Sequence, residues 1–374
     1  MAPSKRLIAS YLLDWIVIVA FAAAGGGLNY VRPKHRPFSL LDPSLSFPMV
    51  RESITTTTLA LAALLAPAVV IILIALVFVP GFKTARTLKR RQVLQRKLWE
   101  AEQGLAGLAL AVALAFFVTQ GLKNMFGKPR PHMLALCVPN VLNVAASVVG
   151  GYGQDISPRW TLVDSSICQQ TDPFVLDDAF RSFPSGHASF SWSGLLYLAL
   201  FLCTKLAISI PRIPDVLLSS APVSLHLPQD TELLPLHRRS HDTSSAQTKT
   251  QTTPGIQINE TQTLPVYNQA AAAPNYGIIV VLVPLSAAAY ITSTRYAEFW
   301  HFGFDVLSGA LIGSLSAWFS FRWYHLPIQR GQGWAWGPRS RDRAFGIGVG
   351  MGGYVGKEGW ESAKEHDAQS RACG

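Results

Sequence analysis

Charged side chains are scarce in this sequence. Asp, Glu, Lys and Arg together make up 14% of its 374 residues, whereas hydrophobic residues make up 49%. A soluble domain usually carries about 25% charged residues. Long apolar runs account for the deficit, and they exclude an ordinary soluble domain and indicate an integral membrane protein.

Cysteine is also scarce, and Cys137, Cys168, Cys203 and Cys373 stand far apart. They lack zinc-type spacing and no cluster of metal ligands accompanies them, so we predict neither a metal nor another cofactor. Acidic residues are fewer than basic ones, which gives a formal net charge of +10. The basic residues gather beside the apolar runs, so we interpret them as topology signals and lipid-headgroup contacts, and we predict no nucleic-acid partner.

Six apolar stretches are long enough to cross the hydrocarbon core of a bilayer as helices, which takes about 20 residues. They are approximately 7–25, 57–79, 104–122, 187–206, 276–293 and 303–323. We therefore predict an all-α fold, a bundle of six transmembrane helices with the membrane as its partner. The first stretch could also be a signal peptide, but Asp14 inside the run favours a retained helix.

The orientation follows from the loop between the second and third spans, which is short and strongly basic between Lys83 and Lys97. Such a loop stays in the cytoplasm. Both termini are then cytoplasmic, and the loops after the first, third and fifth spans lie on the luminal or extracytoplasmic side. The organelle stays open, because the vacuole, the Golgi or ER and the plasma membrane all fit a multi-pass protein of this kind.

Composition divides the chain into four segments. Residues 1–206 hold the first four spans and a luminal loop, 123–187, whereas 276–325 hold the last two spans. Residues 207–275 are rich in Ser, Thr, Gln and Pro without periodicity, and we interpret them as a disordered cytoplasmic insertion. Residues 326–374 form a Gly-rich, basic cytoplasmic tail, which we also expect to be disordered.

A first motif follows the third span and carries Lys123 and Arg130. Fixed positive charge binds phosphate, and an arginine can contact two of its oxygens. Because Pro131 disfavours helical geometry at Arg130 and Gly127 precedes it, we expect the chain to leave the helix and turn back over its end. Taken alone, the cluster also fits a basic anchor for lipid headgroups, and Lys128 is a candidate for that role.

A second motif, Pro184–Ser185–Gly186–His187, immediately precedes the fourth span. Serine is a good N-cap, glycine lets a ligand approach the backbone, and a helix N-terminus offers free N–H groups to an anion. His187 then lies on the first helical turn, where it can protonate a leaving oxygen. The alternative is an ordinary capped helix start with an interfacial histidine.

A third motif opens the sixth span with Arg295, His301 and Asp305. The last two are four residues apart and would share one face of a helix. We expect Asp305 to bind one ring nitrogen of His301, which fixes the tautomer and leaves the other nitrogen free to attack. The alternative is a pair that only stabilises a helix start, although an acid within an apolar span is usually functional.

Together the three motifs resemble the type 2 phosphatidic-acid phosphatase superfamily, which includes lipid phosphate phosphatases and shares its site with vanadium haloperoxidases. The family pattern K-x6-R-P, P-S-G-H and S-R-x5-H-x3-D is matched at the residues just named. The resemblance covers roughly 7–325 without the insertion, and the context of the second motif is similar to fungal diacylglycerol-pyrophosphate and phosphatidate phosphatases. Thr294, His132 and Trp300 depart from the common pattern, and the last two could alter headgroup selectivity.

This resemblance implies a magnesium-independent phosphatase that hydrolyses phosphatidate, diacylglycerol pyrophosphate or both, with the phospholipid held in the bilayer and the site on the luminal side. His301 would form a phosphohistidine, Asp305 would orient it, and His187 would protonate the leaving oxygen and then activate water. The residues expected to hold the phosphate are Lys123, Arg130, Ser185, Gly186 and Arg295.

Three questions stay open from the sequence. The substrate could instead be a sphingoid-base phosphate or a polyprenyl pyrophosphate, because apolar tails leave little trace in a motif. The chain could also be a lipid or anion carrier, although carriers tend to place charged sites near mid-membrane between repeats, and no repeat is visible. Cys137 and Cys168 fall in the same luminal loop, where an oxidising compartment would allow a disulfide.

Overall fold

A computed structural model of the chain describes residues 5–157, 159–208, 274–328, 334–337, 339 and 345. The predicted insertion, 207–275, lies outside the described residues except at its two ends, and so does most of the tail.

The described chain is built from helices. Their bounds are α1 (Lys5–Leu28), α2 (Thr56–Phe78), α3 (Phe82–Thr87), α4 (Arg90–Phe126), α5 (Met133–Cys137), α6 (Pro173–Ala179), α7 (Gly186–Lys205), α8 (Asn275–Ala297) and α9 (Gly303–Tyr324). Within these residues six helices, α1, α2, α4, α7, α8 and α9, are long and apolar enough to span a membrane. The prediction of an all-α bundle with six spanning helices is therefore confirmed.

One boundary differs from the prediction by several turns. The third span was expected from 104, but α4 begins at Arg90. Residues 90–103 contain neither glycine nor proline and consist mostly of good helix formers, so nothing ends the helix where the apolar run ends. Much of the basic loop is consequently the first part of α4.

Helix α7 is the centre of the bundle and packs against α2, α4, α8 and α9. Its buried Tyr197 and Phe201 join Ile71, Leu108 and Phe321 in the main hydrophobic core. Most of the α7 side chains are buried, which explains why its sequence mixes small and polar residues with apolar ones. Such residues let transmembrane helices approach one another closely.

The segments between α1 and α2 and between α4 and α7 fold over one end of the bundle, and we call residues 29–55 and 127–185 the cap. The cap contains α5, α6 and a two-stranded antiparallel sheet of β1 (Val148–Gly150) and β2 (Leu162–Val163). Short 3-10 turns connect these elements, at Pro43–Leu45, Val144–Ser147, Tyr152–Asp155 and Ser165–Ile167. A disulfide joins Cys137 to Cys168, as the sequence allowed.

At the opposite end of the bundle, the first part of the tail packs against the helices. Ala335 pairs with His325 in an isolated β-bridge, and its N–H donates to Glu100 Oε1 at 3.0 Å. Arg339 donates to Asp14 Oδ2 of α1 at 2.7 Å. These described tail residues therefore have polar partners on α1 and α4, and the expectation of disorder for the tail stays a prediction.

Candidate active site

The three motifs meet at the cap end of the bundle. The loop before α2 contacts the first motif, where Phe47 N–H donates to Pro131 O at 3.1 Å. It also contacts the turn between α8 and α9, where Ser53 N–H donates to Glu298 Oε1 at 3.0 Å. These bonds bring the three interhelical segments on this side together, as the alternating topology predicted.

A cavity of about 500 Å³ lies at this junction. Six of the eight predicted site residues line it, namely Lys123, Arg130, Gly186, His187, Arg295 and His301. The spanning helices also contribute apolar side chains, namely Leu59, Ala60, Phe116 and Phe190, and polar ones, namely Thr56, Thr119, Gln120 and Ser189. The cavity therefore joins a cationic end under the cap to an apolar end between α2, α4 and α7.

The first motif is shaped by Gly127, which ends α4. Gly127 has a φ of +55°, and a Cβ there would lie 1.6 Å from Lys34 O, so only glycine fits. The chain then leaves the helix as predicted. Lys123, on the last turn of α4, is buried and donates to Arg181 O at 2.9 Å, which directs its ammonium group toward the cavity wall.

Arg130 is held on several sides. Its Nε donates to Asp178 O at 2.8 Å, and its NH2 donates to Asp178 Oδ1 at 2.7 Å. Its NH1 donates to Trp300 O at 3.2 Å and lies 3.5 Å from His301 Nε2. The guanidinium also lies over the Trp300 ring, 5.2 Å from its centroid, which is a cation–π contact.

The second motif forms the predicted cap of α7. Ser185 Oγ accepts from Ala188 N–H at the start of the helix. The backbone N–H of Ser185, however, donates to Asp305 O at 2.9 Å. Ser185 is fully buried and does not line the cavity, and its expected contact with phosphate through the amide stays a prediction. Gly186 does line the cavity, beside the Lys123 side chain.

His187 lies on the first turn of α7, as predicted, and its ring lines the cavity. Its Nε2 bonds the carbonyl oxygen of Ile54 at 3.0 Å, and because a carbonyl can only accept, Nε2 carries a proton. The carboxylate of Glu52 lies 4.0 Å from the same nitrogen. Because Nε2–H is committed to the Ile54 carbonyl, a general-acid role requires a second proton on Nδ1, in the imidazolium form of the ring.

Arg295 is buried between two carboxylates. Its NH1 donates to Glu52 Oε2 at 3.0 Å and its NH2 to Glu298 Oε2 at 2.6 Å. Glu298 lies one turn further along the chain, whereas Glu52 comes from the loop before α2. These contacts fix the guanidinium at the cavity and partly neutralise its charge.

His301 does not lie on the helix that opens the sixth span. Helix α9 begins at Gly303 with Phe302 as its N-cap, so His301 belongs to the preceding turn. That turn is tight, with Phe299 at a φ of +60° and His301 N–H donating to Arg295 O at 3.2 Å. The expected helical pairing of His301 with Asp305 is wrong for this reason.

The ring of His301 is oriented by the cap instead. Its Nδ1 lies 2.6 Å from Ser182 O, and because that carbonyl can only accept, Nδ1 carries the proton and Nε2 keeps its lone pair. Burial, followed by the charges of Arg130 and Lys123, holds the pKa of His301 well below its usual value. The imidazole is therefore neutral, with an available Nε2 at the cavity, which suits a nucleophile.

Asp305 is fully buried behind the site and does not line the cavity. Its carboxylate accepts from Ser182 Oγ at 2.6 Å, from Lys128 Nζ at 2.7 Å and from Phe302 N–H at 3.2 Å. Asp305 and His301 thus contact the same residue, Ser182, through its hydroxyl and its carbonyl. The direct carboxylate–imidazole bond that we predicted is replaced by this shared contact, and Lys128 is an ion-pair partner rather than a headgroup anchor.

Sequence reasoning missed four residues that touch the predicted ones, namely Glu52, Asp178, Ser182 and Glu298. Glu298 lies within the third motif and Ser182 lies just before the second, so their proximity along the chain was a usable signal. Glu52 is 243 residues from its partner Arg295, and no local pattern could connect them. Among the described residues, no group of three or more His, Cys, Asp and Glu side chains suits a metal ion.

Comparison with known proteins agrees with this arrangement. Residues 104–328 match the family model of the PAP2 superfamily, a region that contains all three motifs. No solved structure matches the chain.

Several curated proteins align with the chain at low identity. A PA-phosphatase related-family protein of Dictyostelium discoideum is 28% identical over 54% of this chain and 55% of its own length. The probable diacylglycerol pyrophosphate phosphatase 1 of Schizosaccharomyces pombe is 26% identical over 84% of this chain and 81% of its own length. Lipid phosphate phosphatase 1 of Arabidopsis thaliana is 22% identical over 88% and 72%. The chain thus spans about half the length of the first relative and most of the other two.

Proposed function

The chain belongs to the PAP2 superfamily, and from this premise we propose that it is a lipid phosphate phosphatase that works without magnesium. The proposed substrates are phosphatidate, diacylglycerol pyrophosphate or both. Relatives named for these activities align with most of the chain, which supports this choice of substrate class.

One observation carries the proposal, namely the two-ended cavity. Its cationic end suits a phosphate group, and its apolar end, with Leu59, Phe116 and Phe190, suits the part of a lipid nearest the headgroup. Because the apolar end is formed by membrane-spanning helices, the acyl chains can stay in the bilayer while the phosphate reaches the histidines. A water-soluble phosphate ester has no apolar chain for these side chains to contact.

In the first chemical step, Nε2 of His301 attacks phosphorus and forms a P–N bond while the P–O bond to the lipid breaks. The imidazolium form of His187 gives its second proton to the departing oxygen and is left neutral, and the oxygen leaves as an alcohol or, from a pyrophosphate, as a phosphate monoester. Lys123, Arg130 and Arg295 stabilise the charge on the transferring group, which is usually the largest catalytic contribution. The Gly186 N–H at the start of α7 adds to this stabilisation.

In the second step, His187 takes a proton from water, and the resulting oxygen attacks the phosphohistidine. The P–N bond breaks, inorganic phosphate leaves, and both histidines return to their starting protonation states. Ser182 holds the proton on Nδ1 of His301 throughout, so the attacking nitrogen stays the same in every cycle. Asp305 supports Ser182 from behind.

The test is phosphate release from phosphatidate and diacylglycerol pyrophosphate in mixed micelles with excess EDTA, comparing the purified wild type with His301→Ala. We expect release by the wild type and a loss of at least about 10⁴-fold in the variant, because no other nucleophile replaces the imidazole. Rapid quenching with a ³²P-labelled substrate should trap label on the wild type and none on His301→Ala. A magnesium-dependent phosphatase in the same buffer serves as the control for EDTA.

The other outcomes are equally informative. Release from sphingoid-base phosphates or polyprenyl pyrophosphates alone would keep the mechanism and change the substrate. Activity retained by His301→Ala would contradict the phosphohistidine. No release from any of these lipids would instead favour a lipid or anion carrier, which vesicle flux of a phosphorylated lipid would detect.

A further inference from the structure

We propose that Asp178 is a positioning residue that holds the Arg130 guanidinium against the transferring phosphoryl group. The proposal deepens the function proposed above and rests on it. Asp178 belongs to none of the three motifs, and it lies on α6 of the cap, 48 residues from Arg130. It lines the same cavity as His187 and His301.

Asp178 accepts hydrogen bonds along one whole edge of the Arg130 guanidinium. Arg130 Nε donates to the carbonyl oxygen of Asp178 and NH2 donates to its carboxylate, at 2.8 and 2.7 Å. The backbone N–H of Arg130 also donates to Ala179 O at 2.9 Å. Three bonds from Arg130 thus converge on the end of α6.

This docking decides which part of Arg130 faces the chemistry. With Nε and NH2 directed at Asp178, NH1 is the nitrogen that lies 3.5 Å from His301 Nε2, the attacking atom. A phosphorus atom bonded to that nitrogen would carry its oxygens beside NH1. A planar guanidinium fixed along one edge cannot rotate, so the direction of the NH1 donors is set before the substrate binds.

The negative charge of Asp178 supports the same positioning role. Desolvation alone would raise the pKa of Asp178, but the charges of Arg130 and Lys123 and the bond from Arg130 outweigh it and lower the pKa. Asp178 therefore stays ionised. Its charge-assisted bond to Arg130 is stronger than a neutral one would be.

Asp177 offers a matched control. It is the preceding residue on the same short helix and carries the same charge, but its carboxylate bonds His35 Nε2 at 2.8 Å and lies 3.6 Å from Arg32 Nε, on the far side of α6. A substitution of Asp177 changes the charge of α6 as much as a substitution of Asp178 does, without touching Arg130.

The experiment is a double-mutant cycle on Asp178 and Arg130. We expect Asp178→Ala to lower kcat/KM by about 10- to 100-fold, because a displacement of about 1 Å at a positioning group can cost about 10²-fold. Asp178→Asn keeps an acceptor for NH2 and should recover part of this loss. In an Arg130→Ala background, Asp178→Ala should cost less than about 3-fold further, since its effect passes through the missing guanidinium. Asp177→Asn should stay within about 2-fold of the wild type.

Two results would overturn the proposal: a full additional loss from Asp178→Ala in the Arg130→Ala background, or activity of Asp178→Ala within about 2-fold of the wild type. If Asp178→Ala does not fold, the cycle is run with Asp178→Asn. If the wild type hydrolyses no lipid phosphate, the proposed function fails, and the same cycle is measured by calorimetry as the affinity for inorganic vanadate. Coupling between Asp178 and Arg130 in vanadate binding would then support the positioning role, and additivity would exclude it.

Discussion

Among single side chains, the carboxylate of Asp305 supports the site from outside the cavity. It is fully buried, and it is compensated by one ammonium group, one hydroxyl and one backbone N–H. Removing a partner from a buried charge is far more costly than removing both charges together. Lys128 and Asp305 should therefore behave as a pair.

We predict that Lys128→Met lowers thermal stability strongly, by about 3 kcal/mol, because it leaves the Asp305 carboxylate buried without its cation. Adding Asp305→Asn to that variant should restore most of the stability, since no buried charge then stays unpaired. The measurement is the midpoint of thermal inactivation or unfolding in detergent.

Lys34→Met is the control for this pair, since Lys34 is an exposed lysine of the cap and surface substitutions usually change stability by less than about 0.5 kcal/mol. A double variant as unstable as Lys128→Met alone would show that the ion pair is not what Lys128 contributes.

The chemical types at the site could be predicted from the sequence, but not their contacts. Lys123, Arg130 and Arg295 could be chosen as candidate phosphate ligands because the three motifs occur in order beside apolar spans, although a basic cluster taken alone also fits a headgroup anchor. The hydrogen-bond partner of Asp305 could not be predicted, because a spacing of four residues indicates contact only if both residues are helical. His301 lies before the N-cap of α9, and its ring bonds Ser182 instead.

Among helices, the contact between α7 and α9 fixes the second motif against the third. Gly309 and Gly313 of α9 are four residues apart, and Cβ atoms there would lie 2.5 Å from Ser185 O and 2.3 Å from Ser189 O. This small-residue spacing lets the two backbones touch, a common arrangement between membrane helices. Because Gly309 follows Asp305 by one turn, the same contact fixes the distance between the cap residues bound to Asp305 and the ends of the spanning helices.

We predict that Gly313→Ala destabilises the protein by about 1–3 kcal/mol, since the added methyl group overpacks a backbone contact. Gly26→Ala on α1 is the matched control, because nothing lies within 4 Å of a Cβ at that position. Both variants replace a helical glycine in a spanning helix, so propensity affects them alike. Size-exclusion profiles and thermal midpoints in detergent provide the measurement, and equal behaviour of the two variants would contradict the packing argument.

The helices themselves were predictable because about 20 apolar residues have few other structures available. The ends of the helices were less predictable. Helix α4 begins at Arg90, well before its apolar run starts, since helix formation depends on backbone propensity as well as on burial. The cap was not predictable as a fold, because its core joins Phe38 to Met133 and Phe180 over long sequence separations.

For the molecule as a whole, the side of the membrane on which the cap lies decides which pool of lipid it reaches. The basic residues around 83–97 lie at the end of the bundle opposite the cap, partly on α4. The positive-inside rule predicts that this end lies in the cytoplasm. The disulfide between Cys137 and Cys168 lies in the cap, and disulfides persist mainly in oxidising compartments. Both arguments favour the same predicted orientation, in which the cap is luminal or outside the cell.

We predict that a glycosylation site placed in the cap becomes modified. The substitution Ala145→Thr creates an Asn-Val-Thr sequon that begins at Asn143, and both of these positions are exposed. After translation into microsomes, this variant should gain a glycan that an endoglycosidase removes, because only luminal sequons meet the transferase. The natural sequon at Asn259, outside the described residues, should stay unmodified, so Asn259→Gln should migrate like the wild type.

The opposite pattern, a glycan at Asn259 with none at Asn143, would invert the topology and place the catalytic cavity on the cytoplasmic leaflet. An impermeant maleimide gives an independent reading with Leu142→Cys in a background of Cys203→Ser and Cys373→Ser, since Leu142 is 95% exposed and Cys373 lies in the predicted cytoplasmic tail. In sealed microsomes a luminal cap is shielded from the reagent, so we expect labelling only after permeabilisation. Labelling of the sealed vesicles would contradict the luminal cap, and with it the access of the cavity to lipids of the luminal leaflet.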